Sequence, residues 1–243
     1  SGAFMRTREE AGELARIMTL IGRETGRRTV AVLTAMEQPL GYAVGNALEV
    51  AEAVATLQGQ GPPDLRELVL LLGSYMLVLG GKAENPEVAH RVLEECLDSG
   101  RAAAKLAAMI AAQGGMAEVV TEPEKILPRA AVRQVVKAGR SGVVAALDAR
   151  RIGLAAMKLG AGRARKEDEI DPAAGVLLRK KVGQRVEAGE PLAELHTSNE
   201  RLLAAAASEV ETAYVIADIE VLEPIEYEEY RRLAGVTPEK FGG

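Results

Sequence analysis

The sequence has little of what several classes of protein require. Its 243 residues include one cysteine, Cys96, two histidines, His90 and His196, and no tryptophan. A single cysteine excludes an internal disulfide framework, and so few thiols and imidazoles exclude a zinc cluster of the usual kind. The apolar runs, such as 68–72, are far shorter than the ~20 residues of a membrane-spanning helix. We therefore expect an intracellular, cytoplasmic protein.

The charge pattern is equally restrictive. The formal net charge is -5, lysine and arginine are spread along the chain, and only 3% of the residues are aromatic. A nucleic-acid surface needs a basic patch with interleaved aromatic side chains, so nucleic acid is not an expected partner. A hydrophobic content of 48% is enough for one large domain or two smaller ones.

The first half of the sequence predicts helices with one buried strand. Thr7 and Glu10 have the spacing of a capping box at the start of a helix. The run 29–33 is almost continuously apolar, which is typical of a parallel strand covered on both faces. Further helices are predicted over 47–57, 64–79, 86–97 and 101–113. The helix over 64–79 is apolar nearly all round, so we expect it to be central and buried.

The pattern changes near Gly114-Gly115, after which short valine-rich runs alternate with glycines. Helices are predicted over 150–159 and 199–207, and strands over 132–136, 142–147, 175–178, 181–182, 185–186 and 212–222. The sequence thus predicts an α/β fold in two parts. Residues 1–115 would form part of an α/β domain with a buried mixed or parallel sheet, and residues 116–243 a smaller, strand-richer α+β module.

A glycine-rich bend precedes the helix over 47–57 and points to a cation site. Glu52 lies on this helix between Leu48 and Ala55, so its carboxylate borders an apolar stripe and needs a partner. The bend can turn the carbonyl groups of Leu40 and Ala43 toward a common point. Carbonyl oxygens with one carboxylate suit a hard cation and not zinc. The alternative is that Glu52 is a surface residue or pairs with an arginine.

Three segments together resemble the pyrimidine-nucleoside phosphorylases, the thymidine phosphorylase family. They are the stretch 37–52, which contains the bend at 39–45, the opening segment Ser1 to Met5, and the glycine-arginine loop at 160–171. The resemblance extends to about Arg232. It implies an enzyme that exchanges phosphate, its co-substrate, for the base of a pyrimidine nucleoside, giving free base and ribose or deoxyribose 1-phosphate.

The resemblance also implies where the binding residues are. The family has a structural potassium ion bound by backbone oxygens and a glutamate, and Leu40, Ala43 and Glu52 match those positions. Phe4 matches an aromatic residue that lies against the pyrimidine base. The remaining K⁺ ligands, and the motifs that bind phosphate and base, would precede Ser1. We therefore expect a C-terminal portion with an incomplete cation site, no catalytic residues and no activity alone, whereas the complete enzyme would be a homodimer.

Other interpretations remain open. The segment 182–192 is similar to half of a biotinyl or lipoyl carrier domain, but Lys180 and Lys181 lie before the turn and not at its tip. A hammerhead-like hairpin, with which the phosphorylase family ends, is the preferred interpretation. The main alternative function is a non-catalytic α/β structural or regulatory module. Phosphoribosyl transfer, which uses a similar fold, is a second enzymatic alternative.

Overall fold

The computed structural model describes Met5, residues 7–217 and the backbone of residues 240–241. The helices are α1 (Arg8–Glu24), α2 (Asn46–Leu57), α3 (Pro63–Leu79), α4 (Pro86–Asp98), α5 (Arg101–Ala112), α6 (Pro123–Ile126), α7 (Ala149–Ala156) and α8 (Leu203–Ala213). The strands are β1 (Ala31–Val32), β2 (Ala43–Val44), β3 (Val132–Lys137), β4 (Gly142–Leu147), β5 (Gly175–Leu178), β6 (Arg185–Val186), β7 (Pro191–Thr197), β8 (Tyr214–Ala217) and β9 (Lys240–Phe241). The predicted class, with helices and sheets combined, is confirmed.

Local capping explains where the first helices begin. The side chain of Thr7 accepts a hydrogen bond from the Glu10 amide at 3.1 Å, and the Glu10 carboxylate accepts one from the Thr7 amide at 3.3 Å. Both bonds of the predicted capping box are therefore present. Asn85 caps α4 by accepting from the Val88 amide at 2.9 Å, with Pro86 at the first helical position.

The strands form three sheets, and their direction differs from the prediction. The strand orders are β2-β5-β7-β3, β6-β4-β8 and β1-β9. Every pairing between described strands is antiparallel, including that of β1, where a mixed or parallel sheet was expected. An apolar run shows that both faces of a strand are covered but not the direction of its neighbour. The division at residues 115 and 116 and the hammerhead-like hairpin stay predictions.

The main core lies between the four-stranded sheet and the helices α7 and α8. Val176 of β5 and Leu195 of β7 are opposite each other in the sheet, and neither is accessible to solvent. Ile152 of α7, Leu159 and Val210 of α8 belong to the same fully buried cluster. This core holds β5 firmly, and β5 in turn carries the short strand β2 on its other edge.

The expectation that α3 is a buried central helix was wrong for the part of the protein that the structure describes. Leu70 and Ser74 are buried, whereas Val69 and Leu72 are exposed and Met76 is 71% exposed. The helix packs along one face against α4, so its all-round apolar composition does not report its burial. Neither α3 nor any other helix among the described residues is long and apolar enough to span a membrane.

Candidate functional site

The bend before α2 is held at the edge of the four-stranded sheet. The Leu178 amide donates to the Tyr42 carbonyl at 2.8 Å, and the two residues of β2 continue this pairing along β5. Gly45 follows with φ +144°, and a Cβ there would lie 2.4 Å from the Ala174 carbonyl oxygen. A glycine is therefore required where the chain leaves the sheet and enters α2. The bend is fixed at one end by β5 and at the other by α2.

Glu52, on the second turn of α2, reaches back to the bend. Its Oε1 accepts hydrogen bonds from the amides of Tyr42 at 2.8 Å and Ala43 at 3.1 Å. No other described group donates to this carboxylate, so Oε2 keeps its lone pairs. Partial burial raises the pKa of Glu52, against the effect of the two amides. Asp64 raises this pKa further, and Lys181 lowers it.

A buried lysine occupies the other side of the bend. Lys181 is 7% exposed, and its Nζ donates to the carbonyl oxygens of Pro39 at 2.7 Å and Gly41 at 2.9 Å. It also forms an ion pair with Asp64. An ammonium group has three donors, and here each has an oxygen acceptor. The ring of Tyr42 lies alongside, with its centroid 5.5 Å from Nζ.

The loop that carries Lys181 is itself fixed. The Lys181 amide donates to the Gln184 side chain at 2.8 Å, which closes the turn between β5 and β6. The next amide, that of Val182, donates to the side chain of Gln38 at 3.1 Å. Gln38 adjoins the bend, so its side chain also joins the bend to the backbone of this loop. The ammonium is thus delivered from a fixed position.

The sequence-predicted site residues are partly brought together. Ala43 and Glu52 are in contact through the Ala43 amide. Leu40 lies between the two residues whose carbonyls bind Lys181, and its side chain is exposed. Phe4 lies outside the described residues. Sequence reasoning missed Lys181 and Asp64, because the side-chain partners of Lys181 are 117–142 positions earlier in the chain and nothing local marks either residue.

Metal chemistry based on side-chain clusters has no support in the part of the chain that is described. It contains no group of three or more His, Cys, Asp or Glu side chains that could hold a metal ion. A cation at the bend would therefore be held mainly by backbone oxygens together with the Glu52 carboxylate. Such donors suit a weakly hydrated monovalent ion or another oxygen-seeking cation.

Comparison with known proteins identifies the family. Residues 1–103 match the family described as "Glycosyl transferase family, a/b domain", and residues 143–217 match the "Pyrimidine nucleoside phosphorylase C-terminal domain". The pyrimidine-nucleoside phosphorylase of Bacillus subtilis (strain 168) is 53% identical over 202 residues, which are 83% of this chain and 46% of that protein. The chain belongs to the pyrimidine-nucleoside phosphorylase family.

The match is extensive within this chain but covers only part of each relative. The phosphorylase of Staphylococcus aureus (strain bovine RF122 / ET3-1) is 49% identical over 218 residues, which are 90% of this chain and 50% of that protein. The chain therefore spans about half the length of the curated phosphorylases that it matches. The bend and Glu52 lie in the first matched region, and Lys181 lies in the second.

The carrier-domain alternative is not supported by the two lysines. Lys181 is buried in its ion pair, and Lys180 donates to the Arg185 carbonyl at 2.8 Å and lies 3.0 Å from the Glu190 carboxylate. A carrier lysine must stand free at a hairpin tip to accept its cofactor. Lys180 instead bonds within the segment that precedes β7, and Lys181 bonds to the bend and to Asp64.

In the loop at 160–171, another segment of the phosphorylase resemblance, two carboxylates bind backbone amides. Asp168 accepts from the amides of Ala164 at 3.1 Å and Arg165 at 2.8 Å, within the loop. The two oxygens of Asp171 accept from the amides of Ala173 at 2.9 Å and Ser198 at 3.0 Å. Its own amide donates to the Gly160 carbonyl at 2.9 Å. Because both carboxylate oxygens bind backbone groups, Asp171 ties this loop to the end of β7.

A charged cluster lies on one face of the four-stranded sheet. His196 of β7 is 5% exposed, and its Nε2 lies 3.0 Å from Glu194 Oε1 without the alignment of a good hydrogen bond. Burial lowers the pKa of His196, against the attraction of Glu194, and the nearby Arg133 and Arg179 lower it further. Burial alone would raise the pKa of Glu194, but Arg179 at 2.8 Å and the other cations lower it.

Replacing Gly41 by alanine tests the packing of the bend against Glu52. Gly41 has φ +67°, and a Cβ there would lie 2.1 Å from Glu52 Oε2. Gly81 has φ +66° with nothing near its Cβ position, so Gly81→Ala is a matched control. We expect Gly81→Ala to cost about 1–2 kcal/mol of unfolding free energy from backbone strain alone. Gly41→Ala should cost a further ~1–3 kcal/mol through the clash, measured by denaturant unfolding. Equal losses would contradict the contact.

The buried histidine predicts a dependence of stability on pH. Because the pKa of His196 is lowered in the folded state, the unfolded chain binds this proton first as the pH falls through 6.5, the ordinary value. The free energy of unfolding should therefore decrease as the pH falls from 6.5 toward the folded-state pKa. His196→Gln should reduce this slope in denaturant titrations at a series of pH values. His90→Gln, at a partly exposed histidine on α4, is the control, and an unchanged slope in His196→Gln would refute the assignment.

Proposed function

We propose that the complete protein carrying this sequence is a phosphorylase that cleaves pyrimidine nucleosides with phosphate. The products would be the free base and ribose or deoxyribose 1-phosphate. The observation that carries this proposal is identity of 49–53% to proteins named pyrimidine-nucleoside phosphorylases, across 83–90% of this chain. The match to the C-terminal domain of the same family over 143–217 supports it independently.

In such a reaction a phosphate oxygen forms a bond to C1 of the pentose while the bond from C1 to the base nitrogen breaks. The bonding electrons leave with the base, so the enzyme must place the two reactants in line and stabilise charge on the base. None of the described groups of this chain is assigned to that step. We infer that residues 1–243 alone are inactive, and that in the complete protein Phe4 contacts the base.

We further propose a structural K⁺ site at the bend, formed by the carbonyl groups of Leu40 and Ala43 and by Glu52. Within the described part of the chain, the charged side chains that bond to the backbone of the bend are Lys181, Asp64, Glu52 and Glu49, one cation and three carboxylates, which sum to -2. A half-buried carboxylate, one oxygen of which accepts no hydrogen bond from the described residues, suits a cation ligand. When bound, the ion would supply the positive charge that offsets Glu52. Ligands from the complete protein would finish the site.

Two properties of the complete protein follow from the same family relationship. We infer that it acts as a homodimer and that its location is cytoplasmic. Sedimentation of the complete protein and fractionation of cells that express it would test these two points separately from catalysis.

An activity comparison tests the proposed reaction. The complete protein and the 243-residue chain would each be incubated with uridine or thymidine, with and without phosphate, and release of uracil or thymine measured by chromatography. We expect phosphate-dependent release by the complete protein only. Absence of release from the complete protein with either nucleoside would overturn the proposal. Release by the 243-residue chain would overturn the assignment of catalysis to other residues.

Thermal stability in different salts tests the cation site. In the complete protein, KCl should raise the melting temperature more than choline chloride does at equal ionic strength, because choline is too large to enter a carbonyl cage. Glu52→Gln keeps an oxygen acceptor for the two amides but removes the charge, and we expect it to abolish the difference. Glu49→Gln is the control, since Glu49 also binds a bend amide, that of Gly45, at 2.9 Å. An unchanged K⁺ effect in Glu52→Gln would rule out this site.

A further inference from the structure

We propose that Lys181 is the positioning residue of the bend: its ammonium group holds the peptide units at 39–41 so that the next two amides face Glu52. The geometric part of this inference stands on the contacts themselves. Its consequence for ion binding rests on the K⁺ site proposed above.

The three protons of the Lys181 ammonium group are matched by three oxygen acceptors. Lys181 is buried, and burial of an ammonium group is costly unless each proton has a partner. The three partners are the carbonyl oxygens of Pro39 and Gly41 and the carboxylate of Asp64. Two of the three acceptors are therefore backbone groups of the bend.

The peptide unit between Gly41 and Tyr42 is held at both ends, by Lys181 at its carbonyl and by Glu52 at its amide. The Gly41 carbonyl accepts from Lys181, and the Gly41 amide donates to Asp64 at 3.2 Å. Immediately afterwards, the amides of Tyr42 and Ala43 donate to Glu52. The orientation of the Gly41 peptide thus determines how the following amides meet the carboxylate. Fixing Gly41 through both of its backbone groups fixes the ligand Glu52 indirectly.

Lys181 lies in a hydrogen-bonded loop that is far from the bend in sequence. Its loop is closed by Gln184 and bonded to Gln38 of the bend. The residues that it holds are 140–142 positions earlier in the chain. Lys181 therefore imposes the geometry of the second matched region on a bend that belongs to the first. Among the described residues, the ammonium group of the neighbouring Lys180 forms no hydrogen bond or ion pair with the bend and donates to the Arg185 carbonyl instead.

Lys180 makes a matched control possible. Lys181→Met and Lys180→Met each remove one ammonium group from adjacent positions of the same loop. In the complete protein, hydrogen exchange followed by mass spectrometry would be compared for a peptide covering 38–45 and for a reference peptide in α4. We expect Lys181→Met to speed exchange in 38–45 by about tenfold or more, with α4 unchanged, because the opening is local. Lys180→Met should alter neither peptide.

Equal exchange at 38–45 in the two variants would overturn the positioning role. A comparable increase in 38–45 and in α4 would also overturn it, because it would show only a general loss of stability. If Lys181→Met does not fold, Lys181→Met combined with Asp64→Asn removes the unpaired carboxylate while keeping an acceptor for the Gly41 amide. The same local increase is expected in this double variant, and its absence would refute the inference.

The K⁺ titration separates this inference from the cation proposal. If the wild-type protein shows K⁺-specific stabilisation, Lys181→Met should raise the K⁺ concentration at the midpoint by about fivefold or more, since a loosened bend must be ordered on binding. An unchanged midpoint would overturn the ligand-positioning role. If the wild-type protein shows no K⁺ effect, the cation proposal fails. The exchange comparison would then still decide whether Lys181 positions the bend.

Discussion

The bend depends on one physical constraint, the requirement that a buried ammonium group find three oxygen acceptors. Lys181 meets it with two backbone carbonyls and Asp64. The acceptors come from two parts of the chain: the two carbonyls from the bend and the carboxylate from the first turn of α3. Because an unpaired buried charge costs several kcal/mol, an arrangement of the bend that breaks one of these contacts is unfavourable. The direction of the bend carbonyls follows from this pairing.

The carboxylate of Glu52 completes the charge pattern on the opposite side. Lys181 and Asp64 form an ion pair with each other, whereas Glu52 binds only backbone amides among the described groups. Two amides stabilise its ionised form, but partial burial has the larger effect and raises its pKa. A cation placed at its free oxygen would reverse that balance. The bend thus combines the Lys181 ammonium group, which holds its backbone, with the Glu52 carboxylate, whose partial burial favours a second cation.

Much of the fold could be predicted from sequence, and the parts that could not have identifiable physical reasons. The bounds of β4 and β5 were predicted because branched apolar residues between glycines leave few other conformations. The strand β7 was missed, since Glu194 and His196 interrupt its apolar pattern. Glu194 forms ion pairs with Arg133 of β3 and with Arg179, which follows β5. For α3, the amino-acid composition did not show which apolar side chains are buried by packing. The strand directions were wrong because apolar runs carry no information on direction.

The site itself was half predictable for a related reason. Glu52 could be found because a carboxylate on an apolar helix face is a local anomaly, whereas Lys181 follows another lysine and looks like a solvated residue. Its role depends on contact between the two matched regions. There β2 pairs with β5, the Ala47 amide donates to the Pro172 carbonyl at 3.0 Å, and Lys181 donates to the Gly41 carbonyl. None of these contacts can form within residues 1–103 alone. The bend is therefore a joint product of both regions, and its geometry should change whenever their contact changes.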